Sequence, residues 1–150
     1  ENVASVAGKM DNRVIAAYQQ LGFKLVVDPS VNYSGYFDAR SRSITMKQID
    51  DSVYHELGHF LAFIAGNVDK TASFQSIFAA EKANVTAFNK AYVTQNASEY
   101  FAESVKDYIL NNASLKNTRP QTYAAVQNAL NQITDAQIAK IQKIYGAFWN

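Results

Sequence analysis

Residues 52–66 read SVYHELGHFLAFIAG, and the fold and the chemistry are both read outward from them. His55-Glu56-Leu57-Gly58-His59 is an HExxH pattern, and the chain has no other histidines. Asp50, Asp51 and Ser52 are N-cap candidates and Gly66-Asn67 is a stop signal, so a helix is predicted between them. On a helix, side chains four apart share a face, which lets both imidazoles reach one metal ion while Glu56 stands beside them as a base. Val53, Tyr54, Leu57, Gly58, Phe60 and Leu61 surround this triplet with uncharged residues, so the helix is predicted to be mostly buried. The plainer alternative is two histidines that happen to lie a turn apart. Burying them without a ligand would leave polar groups unsatisfied at a cost, and this favours the metal.

Upstream, Val3, Val6, Met10, Val14, Ala17, Tyr18 and Leu21 recur at helical spacing before Gly22 and predict one helix. FKLVVD at 23–28, ended by Asp28-Pro29-Ser30, predicts a strand and turn; further strands are predicted over 33–38 and 43–46, joined by the hairpin loop ARSRS. Downstream, helical patterns fall near 71–82, 84–91, 97–111, 120–132 and 135–148. Thr118-Arg119-Pro120-Gln121 supplies a capping box and an early proline. The expectation is an α+β fold: an N-terminal helix and a small mixed sheet of three or four strands, then a mainly helical part, with the HExxH helix at the centre. Residues 1–150 are expected to form one domain.

Fourteen basic against thirteen acidic residues, with no dense Lys/Arg block, lower the case for nucleic acid. The longest apolar run, FLAFIAG, is far shorter than the roughly 20 residues of a membrane span. The opening ENVAS carries no signal-peptide pattern and reads as a mature or trimmed end. With no cysteine, thiolate metal sites, disulfides and cysteine nucleophiles drop out together.

An open catalytic metal site usually has three protein ligands. No third histidine exists and residue 65 is Ala, so the third ligand is expected to be a carboxylate from among Asp69, Glu81, Glu99, Glu103, Asp107 and Asp135. Glu99 and Glu103 stand out because they share a helix face across the apolar Tyr100-Phe101-Ala102; one can bind metal and the other can orient a histidine. Glu81, followed by Lys82, reads as exposed, and Asp69 sits in a turn too close to His59. Taken alone, Tyr92 reads as a core or helix-end tyrosine.

HELGH followed about forty residues later by Tyr92 and Glu99-Tyr-Phe-Ala-Glu103 resembles the metallopeptidase domain of the anthrax lethal factor family. Within it, the pattern is most similar to the small secreted Pro-Pro endopeptidases of Gram-positive bacteria. The resemblance implies a zincin-like fold with one Zn²⁺ on His55, His59 and Glu99, Glu56 as general base, and Tyr92 as the donor to the oxyanion. Glu103 would have a supporting role. It also implies a secreted, monomeric hydrolase acting on proline-rich protein, with release of bacterial surface adhesins as one such role.

The substrate-binding residues are less visible. The strand at 43–47, with Ser43 and Thr45, is expected to offer an edge to an extended peptide. Tyr33, Tyr36 and Phe37 either line pockets for proline rings or are ordinary sheet packing. A glutamate-ligand peptidase of another specificity and a catalytically silent peptide-binding domain are the alternatives. The Asn-x-Ser/Thr sites at Asn32, Asn84, Asn96 and Asn112 read as incidental in an Asn-rich chain.

Overall fold

The computed structural model describes residues 1–149. Its three strands are β1 (Lys24–Val27), β2 (Gly35–Asp38) and β3 (Ser43–Met46), in the spatial order β1-β3-β2. β3 runs parallel to β1 and antiparallel to β2, so the sheet is mixed, as expected. Arg42 turns the hairpin with a left-handed φ of 53° and reaches back to donate to the Leu21 carbonyl at 3.0 Å. β3 lies in the middle, which corrects one expectation: its backbone is paired on both sides, so Ser43 and Thr45 offer no free edge. The outer strand beside the HExxH helix is β2.

The first helix also differs from its prediction. The chain forms α1 (Val3–Val6) and α2 (Asn12–Gln20), because Asp11 starts a new helix by accepting from the Arg13 N–H at 2.9 Å. The apolar stripe survives the break, since Val3, Met10, Val14, Ala17, Tyr18 and Leu21 are all buried.

The HExxH helix is α3 (Ser52–Ile64), closed by Gly66 at φ 73°. From Val53 to Ile64 every residue but His59 is buried. After a 3₁₀ turn at Val68–Lys70 come α4 (Ala72–Glu81), α5 (Lys90–Val93), α6 (Ala97–Leu110), α7 (Asn112–Thr118), α8 (Pro120–Asn131) and α9 (Asp135–Trp149). The helix predicted over 84–91 does not form. Only Val85 is buried there and Phe88 is fully exposed, so no apolar stripe holds those turns to the core. Residues 112–118, unassigned from sequence, are helical, pinned by the single buried side chain of Leu115.

Thr118 makes no capping box either; its hydroxyl donates to the Ser114 carbonyl at 2.7 Å. The start of α8 is instead capped from outside by Glu81, which is 5% exposed rather than the surface residue expected. Its carboxylate accepts from the backbone N–H of Gln121 (3.1 Å) and of Thr122 (2.8 Å), and from the Thr122 hydroxyl (2.7 Å). A charge at a helix N-terminus is well placed for both the free N–H groups and the helix dipole.

α3 and α6 cross at the centre, and the approach is close enough to exclude a methyl group. A Cβ on Gly58 would lie 2.6 Å from the Ala102 carbonyl oxygen and 2.8 Å from its Cα. Gly58→Ala is expected to force the helices apart and cost about 1–3 kcal/mol. Denaturant unfolding measures it, and an unchanged midpoint would contradict this packing.

Candidate metal centre

Crossing at Gly58 and Ala102 brings the HExxH face of α3 onto the first two turns of α6. Asn96 fixes the start of α6 by accepting from the Glu99 N–H at 2.8 Å, which sets Glu99 in the first turn. The Glu99 carboxylate then lies 2.9 Å from His55 Nε2 and 3.2 Å from His59 Nε2. One turn on, Glu103 accepts from His55 Nδ1 at 2.8 Å. Glu103 thereby orients the His55 ring and leaves Nε2 directed at Glu99 and His59.

His55, His59 and Glu99 are the one group of three among the described residues whose donor atoms, all within 4.8 Å of one another, can hold a metal ion. The nitrogen–oxygen separations match the roughly 3 to 4 Å expected when donors each bind one ion at about 2 Å. Two imidazoles and a carboxylate, with one ring oriented by a second carboxylate, form a donor set suited to zinc. The other acids proposed as third ligands are engaged or placed elsewhere. Asp107 pairs with Arg119 at 2.6 Å, Glu81 caps α8, and Asp135 begins α9.

Glu56 lies outside this donor group and is 7% exposed. Burial pushes its carboxyl up, against the pull of the two histidines. It packs against β2 where Gly35 leaves room: a Cβ there would come within 2.9 Å of Glu56 Cγ and 3.1 Å of its Oε2. α5 carries Tyr92 to the mouth of the site, its ring centroid 6.4 Å from that of His55. Burial, then the charges of Glu99 and Glu56, push the Tyr92 phenol up, which keeps it a neutral donor. Gly35, Glu56, His59, Tyr92 and Glu99 share one cavity of about 170 Å³, and a larger one of about 370 Å³ adjoins it on the Tyr33 side.

The aromatic trio divides. Phe37 faces inward, its ring centroid 6.2 Å from that of Phe60 and 6.4 Å from that of His59, so it is sheet packing that also backs the site. Tyr33 and Tyr36 lie 5.8 Å apart at the rim and are exposed. From sequence, Gly35 has no assigned role and Asn96 reads only as an incidental Asn-x-Ser site. A glycine inside a strand pattern marks a close approach, and Asn three residues before Glu99 marks a helix start, so both signals were present.

Residues 9–129 match the family described as anthrax toxin lethal factor, N- and C-terminal domain. The chain belongs to that family. It is a family of zinc metalloproteases, and the match spans α2 through most of α8, including every residue of the metal group. No curated protein matches the chain.

The charges around His55 give a pH test. Burial opposes the imidazolium, but Glu103 and Glu99 outweigh it and push the pKa up to about 9. Because this lies above the ordinary 6.5, the stability it lends the metal-free protein is complete below about pH 6.5 and is lost as the pH rises through about 9. Ring NMR of chelator-treated protein should place the His55 midpoint near 9, with thermal stability declining over the same window. A midpoint at or below the ordinary value would contradict the pairing with Glu103 and Glu99.

Proposed function

We propose that the chain is a single-domain, zinc-dependent endopeptidase that hydrolyses proline-rich protein segments between two prolines. The supporting observation is the division of labour on α3 and α6. Three side chains converge as donors, a fourth orients one of them, and Glu56 stands beside them outside the donor set.

His55, His59 and Glu99 would hold the zinc, which when bound acidifies water and polarises a carbonyl. Glu56 takes the proton from the attacking water on its carboxylate and passes it to the leaving nitrogen. The scissile C–N bond then breaks to an amine and a carboxylate. Tyr92 donates its phenolic hydrogen to the oxygen on which charge develops. An extended peptide adds to the outer edge of β2, beside which Glu56 sits, so main-chain hydrogen bonds hold it in reach. Tyr33 and Tyr36 at the rim offer ring faces to prolines.

No helix among the described residues is long and apolar enough to cross a membrane. A secreted, monomeric enzyme releasing bacterial surface adhesins is the setting we propose, carried by the sequence resemblance to Pro-Pro endopeptidases.

The test is metal content together with cleavage of peptides carrying a central Pro-Pro. Wild type should hold about one zinc and cut between the prolines. Glu56→Ala should keep the zinc and lose about 10²- to 10⁴-fold in kcat. Zinc without Pro-Pro cleavage would discard the substrate, and absence of zinc would discard the peptidase. Gly35→Ala is a finer probe: its methyl displaces Glu56, so kcat should fall by up to about 100-fold with zinc content unchanged. Unaltered kcat would show that Gly35 does not set the position of the base.

A further inference from the structure

Asp69 is a buried acid with no role in the mechanism above. It lies in the 3₁₀ turn after α3 and is 5% exposed, yet it has no hydrogen bond or ion pair to any described side chain. No buried side-chain oxygen or nitrogen among the described residues is both sealed from solvent and unpartnered. The Asp69 carboxylate therefore opens onto the space it borders, a cavity of about 160 Å³ that it shares with His59, Phe37, Phe63 and Ser98.

This cavity shares His59 and Phe37 with the cavity that holds Gly35, Glu56 and Glu99, and Glu56 does not line it. It also borders Ala39, just past the end of β2. A peptide laid along the β2 edge from Gly35 toward Phe37 passes from one cavity to the other. A carboxylate that no protein cation pairs, set in the wall of a cavity, attracts a cation that enters it. Phe37 and Phe63 supply apolar faces for the stem of a long basic side chain, as well as ring faces for its charge. Lys70 also borders the cavity, but it is exposed and forms no ion pair with Asp69.

We propose that Asp69 is a specificity-determining residue whose cavity takes a basic group of the substrate, a lysine or arginine side chain or a free peptide N-terminus, on the side of the scissile bond that passes His59. This rests on the peptidase reading. The subsite distinguishes substrates by charge, whereas the tyrosine rim distinguishes them by ring shape.

The experiment uses Pro-Pro peptides in which lysine or norleucine is scanned through the three positions on either side of the central pair. Each peptide is made with a free and with an acetylated N-terminus, and assayed with zinc-loaded wild type and Asp69→Asn. At one position wild type should cut the lysine peptide at least about tenfold more efficiently in kcat/KM than the norleucine peptide. Asp69→Asn, with an unchanged melting temperature, should lose that ratio through a fall in kcat/KM for the lysine peptide. A ratio confined to unacetylated peptides assigns the group to the N-terminus, and one that survives acetylation assigns it to the side chain. No lysine preference in wild type, or a preference that persists in Asp69→Asn, overturns the proposal.

Equilibrium binding of the same peptides to Glu56→Ala, with and without Asp69→Asn, keeps the two readings apart. If zinc-loaded wild type cuts none of these peptides, the Pro-Pro reading fails. Asp69-dependent preference for basic peptides in binding would still support the subsite, and equal binding of both peptides would overturn it.

Discussion

Everything at the site depends on how closely α3 and α6 approach. With hydrogen in place of a side chain at Gly58, the backbone of Ala102 packs directly onto α3. One turn before Ala102 and immediately after it, Glu99 and Glu103 then bracket His55. A larger residue at the crossing would lengthen both bonds together, because both carboxylates ride on one rigid helix. The metal group is thus less a set of independent contacts than the outcome of a single interhelical distance.

Fixed charges reinforce that geometry. Lys106 Nζ lies 4.0 Å from Glu103 Oε2, Glu103 holds His55, and His55 meets Glu99, so charges of alternating sign run along α6 and across to α3. Arg119, between α7 and α8, bonds Asp107 and the Ser104 hydroxyl of α6 and lies 5.3 Å over the Tyr100 ring. Tyr100 in turn meets Thr122 at 2.6 Å, within the cap made by Glu81. The face of α6 turned from the site is therefore tied to α4, α7 and α8 by polar bonds, while the face toward the site is free to present its acids.

The parts legible in the sequence were those set by short-range spacing. HELGH, its apolar surroundings and the Gly66 stop defined α3, and the limits of β3 agreed with its alternating pattern. Glu99 and Glu103 were legible as a pair because four residues make one helix face. What could not be read was set by distant partners. The central place of β3 depends on a parallel pairing with β1, which no local signal announces. Glu81 beside Lys82 looks solvated until a helix forty residues on brings unbonded N–H groups to it. The stretch 84–91 has helical spacing, but Phe88 finds no surface to pack on.

The last helix reaches back to the sheet. Trp149 donates its indole N–H to the Ala39 carbonyl at 3.0 Å, and its ring packs 5.6 Å from Phe23 and under the Arg42 guanidinium. The hairpin bearing the β2 edge is thus braced by α9, a helix that falls beyond the region of the family match. During synthesis the strands leave the ribosome about a hundred residues before this brace does. The groove can take its final shape only once α9 has emerged and docked, and until then the edge strand is shielded from premature pairing by little more than its own shortness.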